Sequence, residues 1–198
     1  MRLFFFDTET GGLEPAECGL TEVSSLIADF NDDLSGWNVV HRFSSLVKPI
    51  EGLLYTDEAL TTQNRTLDQL EAEGRDEAEV IQALGKVTAR YFGEAKKCNL
   101  WAHNSGFDIG FLEAATKRTG LPMPTNFAHV CTMHLFRGMR FAGFHDCYRS
   151  TLDDMMRAFG VRLPDEIRHT ATGDVEALAA CTFEMLRRLR AGIPAGGN

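Results

Sequence analysis

Arg2-Leu3-Phe4-Phe5-Phe6-Asp7-Thr8-Glu9-Thr10-Gly11-Gly12 is an apolar run that stops at two acids and two glycines. Arg2–Phe6 suits a short central strand buried on both faces. Asp7 and Glu9 stand two apart, so on extended backbone their side chains share a face. Two carboxylates at the end of an apolar strand repel each other, and burying them is costly unless a cation lies between. Hard divalent ions such as Mg²⁺ or Mn²⁺ take such oxygen ligands. Gly11 and Gly12 allow another backbone or a phosphate to come close. On this segment alone, a solvated acidic pair in a turn is an equally open reading.

Outward from this strand, Thr21–Phe30 and Val39–Val47 are rich in β-formers and are separated by Asn31-Asp32-Asp33, a plausible hairpin turn. The pattern then changes. Glu77–Phe92 places Val80, Ile81, Leu84 and Val87 at helical spacing, and Asn99–Ala102 reads as a short strand. Phe107–Thr119 reads as a helix ended by Gly120, Phe127–Cys131 as a further strand, and Thr151–Phe159 and Thr172–Leu189 as helices. Strands that pair as neighbours and then alternate with helices predict an α/β fold, a mixed sheet flanked by helices. A ligand site is then expected beyond the carboxyl end of the first strand.

The 198 residues fit one domain, taken as 1–190, with a flexible glycine-rich tail over 191–198. No apolar run is long enough to span a membrane. The start carries Asp7 early and has no adequate h-region for a signal peptide. Cys18, Cys98, Cys131, Cys147 and Cys181 are odd in number and scattered, which points to free thiols and a cytoplasmic location. The net charge of −8 argues against a protein that wraps duplex by electrostatics alone. It does not argue against a nuclease, because cations bound at a carboxylate cluster reverse the local field.

Two further acids stand at helix entries. Asp108 follows Trp101-Ala102-His103-Asn104-Ser105-Gly106-Phe107, and Asp174 follows Arg168-His169-Thr170-Ala171-Thr172-Gly173. Each alone could simply favour a helix start through the macrodipole, with Thr172 as an N-cap. His169 exchanges protons near neutral pH, as a general base must. Together, Asp7, Glu9, Asp108 and Asp174 can converge on two divalent cations, with His169 completing a hydrolytic site.

At these residues the sequence resembles the DEDDh exonucleases, the DnaQ-like family that includes bacterial proofreading subunits and ribonuclease T. Phe5–Leu13 looks like the first exonuclease motif, Ala102–Leu112 like the second, and Thr151–Asp154 through His169–Leu178 like the third. The resemblance implies a ribonuclease-H-like fold with a mixed five-stranded sheet. It also implies 3′→5′ release of nucleoside 5′-monophosphates from the 3′ end of single-stranded DNA, or of RNA, with two Mg²⁺ or Mn²⁺ ions. Carried over, Asp7, Glu9 and Asp174 would ligate one metal. Asp7 would reach the second metal, and Asp108 would hold that region. His169 would deprotonate the attacking water. Thr10 and Gly11 would contact the terminal nucleotide through backbone groups, and Phe107 would pack near its sugar or base. Thr8, His103 and Asn104 complete the expected substrate-binding set. A polymerase or other replication or repair protein is an expected partner, with the chain a monomer or homodimer.

Three features depart from that pattern. Asn64 and Arg65 stand where relatives carry Gly and Ile, and Asn is the side chain that best tolerates φ > 0. Arg65 could offer a phosphate contact. Cys131-Thr132 stands where Asp-Thr is frequent, so a supporting hydrogen bond is expected to be missing. His129, Cys131, His134, His145 and Cys147 offer zinc-type ligands, but in no common zinc spacing. Phe141-Ala142-Gly143-Phe144 with Arg137, Arg140 and Arg149 is a basic, aromatic stretch expected to form a nucleic-acid lip. Trp101 is expected in the core.

Overall fold

In a computed structural model, residues 1–94, 97–126, 128–164 and 170–192 are described. Five strands form one sheet: β1 (Arg2–Thr10), β2 (Leu20–Phe30), β3 (Trp37–Leu46), β4 (Leu100–Ala102) and β5 (His129–Cys131). Their spatial order is β3-β2-β1-β4-β5. The first three pair antiparallel, whereas β1–β4 and β4–β5 are parallel. The sheet is therefore mixed, as expected, with the carboxyl ends of β1, β4 and β5 on one edge. β3 begins at Trp37, and the turn before it closes through Asn31 N–H donating to Gly36 O.

Alternation along β1 builds two cores. Leu3 and Phe5 face one side, packed with Phe136, Met155, Phe159 and Leu178. Phe4 and Phe6 face the other, packed with Ile81, Leu84, Phe111 and Leu112. All three phenylalanines are fully buried, each contributing about 1.5–3 kcal/mol relative to exposure. Trp101, expected in the core, is only partly buried and packs against the first cluster.

The helices covering these faces are α1 (Asp57–Thr62), α2 (Leu67–Glu73), α3 (Glu77–Phe92), α4 (Ser105–Thr119), α5 (Thr132–Phe141), α6 (Leu152–Phe159) and α7 (Ala171–Ala191). α3 and α4 lie on the Phe4 side; α5, α6 and α7 lie on the Phe5 side. Gly120 ends α4 in the left-handed conformation, φ 70°, and Thr151 and Asp154 form a reciprocal capping box on α6.

Three helices were not legible in the sequence. α1 and α2 are under two turns long and rest on single threonine caps, Thr56 and Thr66. α5 carries Gly138 in mid-helix and starts at Cys131, whose side chain makes no capping bond. Helix α7 is capped by Thr170, which accepts from Gly173 N, rather than by Thr172. It runs through Ala191, past the expected start of the tail, and residues 193–198 of that tail lie outside the described ones. Phe127, the expected start of β5, also lies outside them. Among the described residues no helix is long and apolar enough to cross a membrane.

Candidate active site

β1 continues past Phe6 to Thr10 because its ladder with β2 holds through Glu9↔Glu22, with an irregularity between Glu9 and Thr10. Asp7 and Glu9 are thus strand residues rather than turn residues. They continue the face of Leu3 and Phe5, over which α7 packs. Asp174 sits in the first turn of α7, its N–H donating to Thr170 O. One ligand oxygen from each of Asp7, Glu9 and Asp174 lies within 4.8 Å of the others. All three residues are partly buried.

Asp108 reaches the same end of β1 from the opposite face. It is buried in the first turn of α4, and its Oδ1 accepts from Thr8 N and Thr8 Oγ1, each at 3.0 Å. It therefore does more than start a helix: it pins α4 to β1 across a hundred residues of sequence.

The electrostatics are those of crowded acids. Burial, then the charges of Asp108, Asp174, Glu9 and Glu22, pushes Asp7 well above the ordinary carboxylate range. Burial, followed by Asp174, Glu22 and Asp108, raises Glu9 to about 8, opposed by Arg65. Burial also raises Asp108 to about 7, against the pull of its Thr8 hydrogen bonds. Such a cluster is disfavoured as anions and favoured with cations among its oxygens, so the residues present fit divalent metal ions.

The sequence reading missed Glu22. It is buried on β2 directly opposite Glu9. Its Oε1 accepts from Ser44 Oγ at 3.1 Å and Thr172 Oγ1 at 3.3 Å, and its Oε2 lies 3.3 Å from the Arg65 guanidinium. Arg65 thus neutralises a fifth acid beside the cluster. Its neighbour Asn64 adopts φ 51°, the conformation that its replacement of glycine anticipated.

A family model described as "Exonuclease" matches residues 4–182. This chain belongs to the exonuclease family. Among relatives of this exonuclease-family chain, the DNA polymerase III subunit epsilon-like protein of Rhodobacter capsulatus is 30% identical over 190 residues, 94% of this chain and 24% of that protein. The DNA polymerase III PolC-type of Bacillus cereus is 27% identical over 92% of this chain and 11% of its own length. The chain thus spans a quarter or less of these relatives. In fold it is similar to E. coli exonuclease I in complex with a dT13 oligonucleotide, with a TM-score of 0.76 and 16% identity over 96% of this chain and 42% of that one. Exonuclease I from Methylocaldum szegediense gives 0.76 and 17% identity, covering 96% and 41%. The likeness supports the expected ribonuclease-H-like architecture.

The exonuclease-family residues expected to touch substrate are mostly engaged within the chain. Thr8 is buried against Asp108. Thr10 Oγ1 donates to Gly12 O at 2.6 Å, and Thr10 O accepts from Gln63 Nε2 at 2.8 Å. Gly11 N–H donates to Gly19 O and its carbonyl accepts from Thr56 N, so its donor is used within the chain. Gly11 is a glycine for packing reasons: a Cβ there would stand 2.3 Å from Leu54 O and 2.8 Å from the Tyr55 ring. His103 Nε2 lies 2.7 Å from Ser150 O and its Nδ1 3.2 Å from Thr132 Oγ1; burial lowers its pKa. It bridges β4 to the loop before α6.

Asn104 is exposed with φ 66° at the start of α4, and Phe107 is partly buried with its ring 4.9 Å from Phe111. His169 lies outside the described residues. The zinc alternative finds no geometry among the described residues. His145 stacks on Phe136 at 3.8 Å and bonds its backbone, and His129 bonds Ser105.

Proposed function

We propose that this chain is a 3′→5′ exonuclease that removes nucleoside 5′-monophosphates from the 3′ end of single-stranded nucleic acid, DNA in preference to RNA. Residues 1–191, through the end of α7, are its catalytic domain. The observation that carries this reading is the meeting of Asp7, Glu9 and Asp174 oxygens within 4.8 Å, from β1 and from a helix far along the chain. Family membership and the likeness to an exonuclease I that binds an oligonucleotide support it.

Asp7, Glu9 and Asp174 would hold divalent cations, Mg²⁺ or Mn²⁺, with Asp108 beside Asp7 for a second ion. When bound, such cations lower the pKa of water and offset charge on the attacking and leaving oxygens. The chain's own residues do the rest. Thr8 orients Asp108 through two hydrogen bonds. Arg65, paired with Glu22, limits the negative charge that Glu22 adds to the cluster. His169 takes the proton of the attacking water. Asn104 and Phe107 face the terminal nucleotide. The relatives' names support work beside a replicative or repair polymerase, and the five free thiols suit a reducing, cytoplasmic compartment.

A 5′-labelled single-stranded oligonucleotide tests this directly. With Mg²⁺ or Mn²⁺ it should shorten in a ladder from its 3′ end with 5′-monophosphates as product, and in EDTA it should stay intact. Cleavage that is internal, or indifferent to metal, would refute it. Parallel digestion of RNA and of mismatched duplex decides the substrate preference.

A further inference from the structure

The loop between α5 and α6 carries a groove that the proposed chemistry does not use. Phe141 is 86% exposed and Tyr148 is 84% exposed, the only exposed Phe, Tyr or Trp rings among the described residues. Single exposed rings are ordinary; two on one rim of a cavity are not. The cavity beside them measures about 250 Å³ and is also lined by Arg137, Arg140, Arg149 and Ser150. That is below the roughly 300 Å³ at which drug-sized pockets begin, so it suits one planar ring. The Arg140 guanidinium lies over the Tyr148 ring at 4.9 Å. Asp146 is the one exposed acid within the loop against these three arginines.

The groove is wired to the carboxylate edge. Arg137 Nε donates to Ser150 Oγ at 2.6 Å, and the Ser150 carbonyl lies 2.7 Å from His103 Nε2. His103 immediately follows β4, whose carboxyl end lies beside that of β1. In a chain of net charge −8, a basic and aromatic groove on this edge complements a strand of phosphates and bases. The structure also corrects the expected lip. Phe144 is buried in the core, and Tyr148 takes its place as the second exposed ring.

We propose that this groove holds one nucleotide of the single strand upstream of the residue being removed. Its base stacks on Tyr148 or Phe141, and its phosphates lie against Arg140 and Arg149. The inference rests on the exonuclease reading for its register relative to the cut, but the binding itself is separable from hydrolysis. Fluorescence anisotropy of a labelled oligothymidylate in EDTA reads the groove without turnover. The paired change Phe141→Ala with Tyr148→Ala should weaken binding about 10–100-fold, the loss of one stacked base. Arg140→Ala with Arg149→Ala should lower the slope of log affinity against log salt by about 0.7 for each phosphate that is no longer neutralised. Melting temperatures unaltered from wild type would show that these changes leave the fold intact.

In Mn²⁺, the aromatic pair of changes should raise KM for a long oligonucleotide and spare a p-nitrophenyl ester of thymidine monophosphate. Unchanged affinity in EDTA overturns the proposal. So does equal loss on both substrates, or competition by polyglutamate as strong as by oligothymidylate. A wild-type chain that binds through the groove but hydrolyses neither substrate defeats the exonuclease reading alone.

Discussion

Replacing Glu9 with Gln removes one negative charge from the cluster while keeping the side chain's shape. Glu9 lies beside Asp7 and Asp174 and opposite Glu22, and its carboxyl is raised from an ordinary 4.5 to about 8. The folded state therefore holds this proton more tightly than the unfolded chain. Without metal, ionised Glu9 costs stability from above about pH 4.5, and the cost is complete by about pH 8. At about 1.4 kcal/mol per pKa unit the full shift is about 4–5 kcal/mol, and solvent screening of a partly exposed group lowers the expectation to about 2 kcal/mol.

Glu9→Gln should then raise the melting temperature in EDTA at about pH 8 by roughly 4–8 °C for a domain of this size. At about pH 4.5 the two proteins should melt together. With saturating Mn²⁺ the order should reverse, because the wild type gains a ligand-bound state that the variant has weakened. Thermal melts followed by circular dichroism, at both pH values and with and without Mn²⁺, give all four comparisons. A variant no more stable than wild type in EDTA at about pH 8 would show that the acids are not crowded, and the reasoning would fail.

Three other substitutions probe separate parts of the site. His169→Ala should lower kcat by about 10²–10⁴-fold while Mn²⁺ titration calorimetry shows binding retained; unchanged turnover removes His169 from the mechanism. Gly11→Ala should destabilise the fold by about 1–3 kcal/mol in urea titrations, since its Cβ would meet Leu54 O at 2.3 Å. An unchanged midpoint would mean the backbone yields there at no cost. Cys131→Asp supplies the absent cap of α5 and should raise the urea midpoint by the equivalent of about 1 kcal/mol, and a fall would show that the helix start is satisfied without it.

Much of the fold was legible because it rests on strong patterns. The apolar run before Asp7 marks a central strand, and the β-rich segments up to Val47 mark the antiparallel part of the sheet. Gly120 stops α4 where a left-handed residue is required. Asp7 and Glu9 on one face follow from the two-residue repeat of a strand, and Asp174 from its helix entry.

What escaped the sequence depends on contacts between distant segments. Glu22 looks like an ordinary polar residue in a strand, and only the register with Glu9 reveals its place. Thr8 looks like a substrate contact until Asp108, a hundred residues on, takes its hydroxyl. Gly11 looks like room for a phosphate, but that room is filled by Leu54 and Tyr55. Tyr148 gains meaning only with Arg140 lying over it. No pattern in the sequence sets Glu22 apart before the β1–β2 register is known.

Diffraction from Mn²⁺-soaked crystals, recorded at the manganese edge, addresses the convergence of the acids without relying on turnover. An anomalous peak among the carboxylate oxygens of Asp7, Glu9 and Asp174, lost in Asp174→Asn, is the expected result. A map with no manganese there, or a peak that survives Asp174→Asn unchanged, would contradict a metal site shared between β1 and α7.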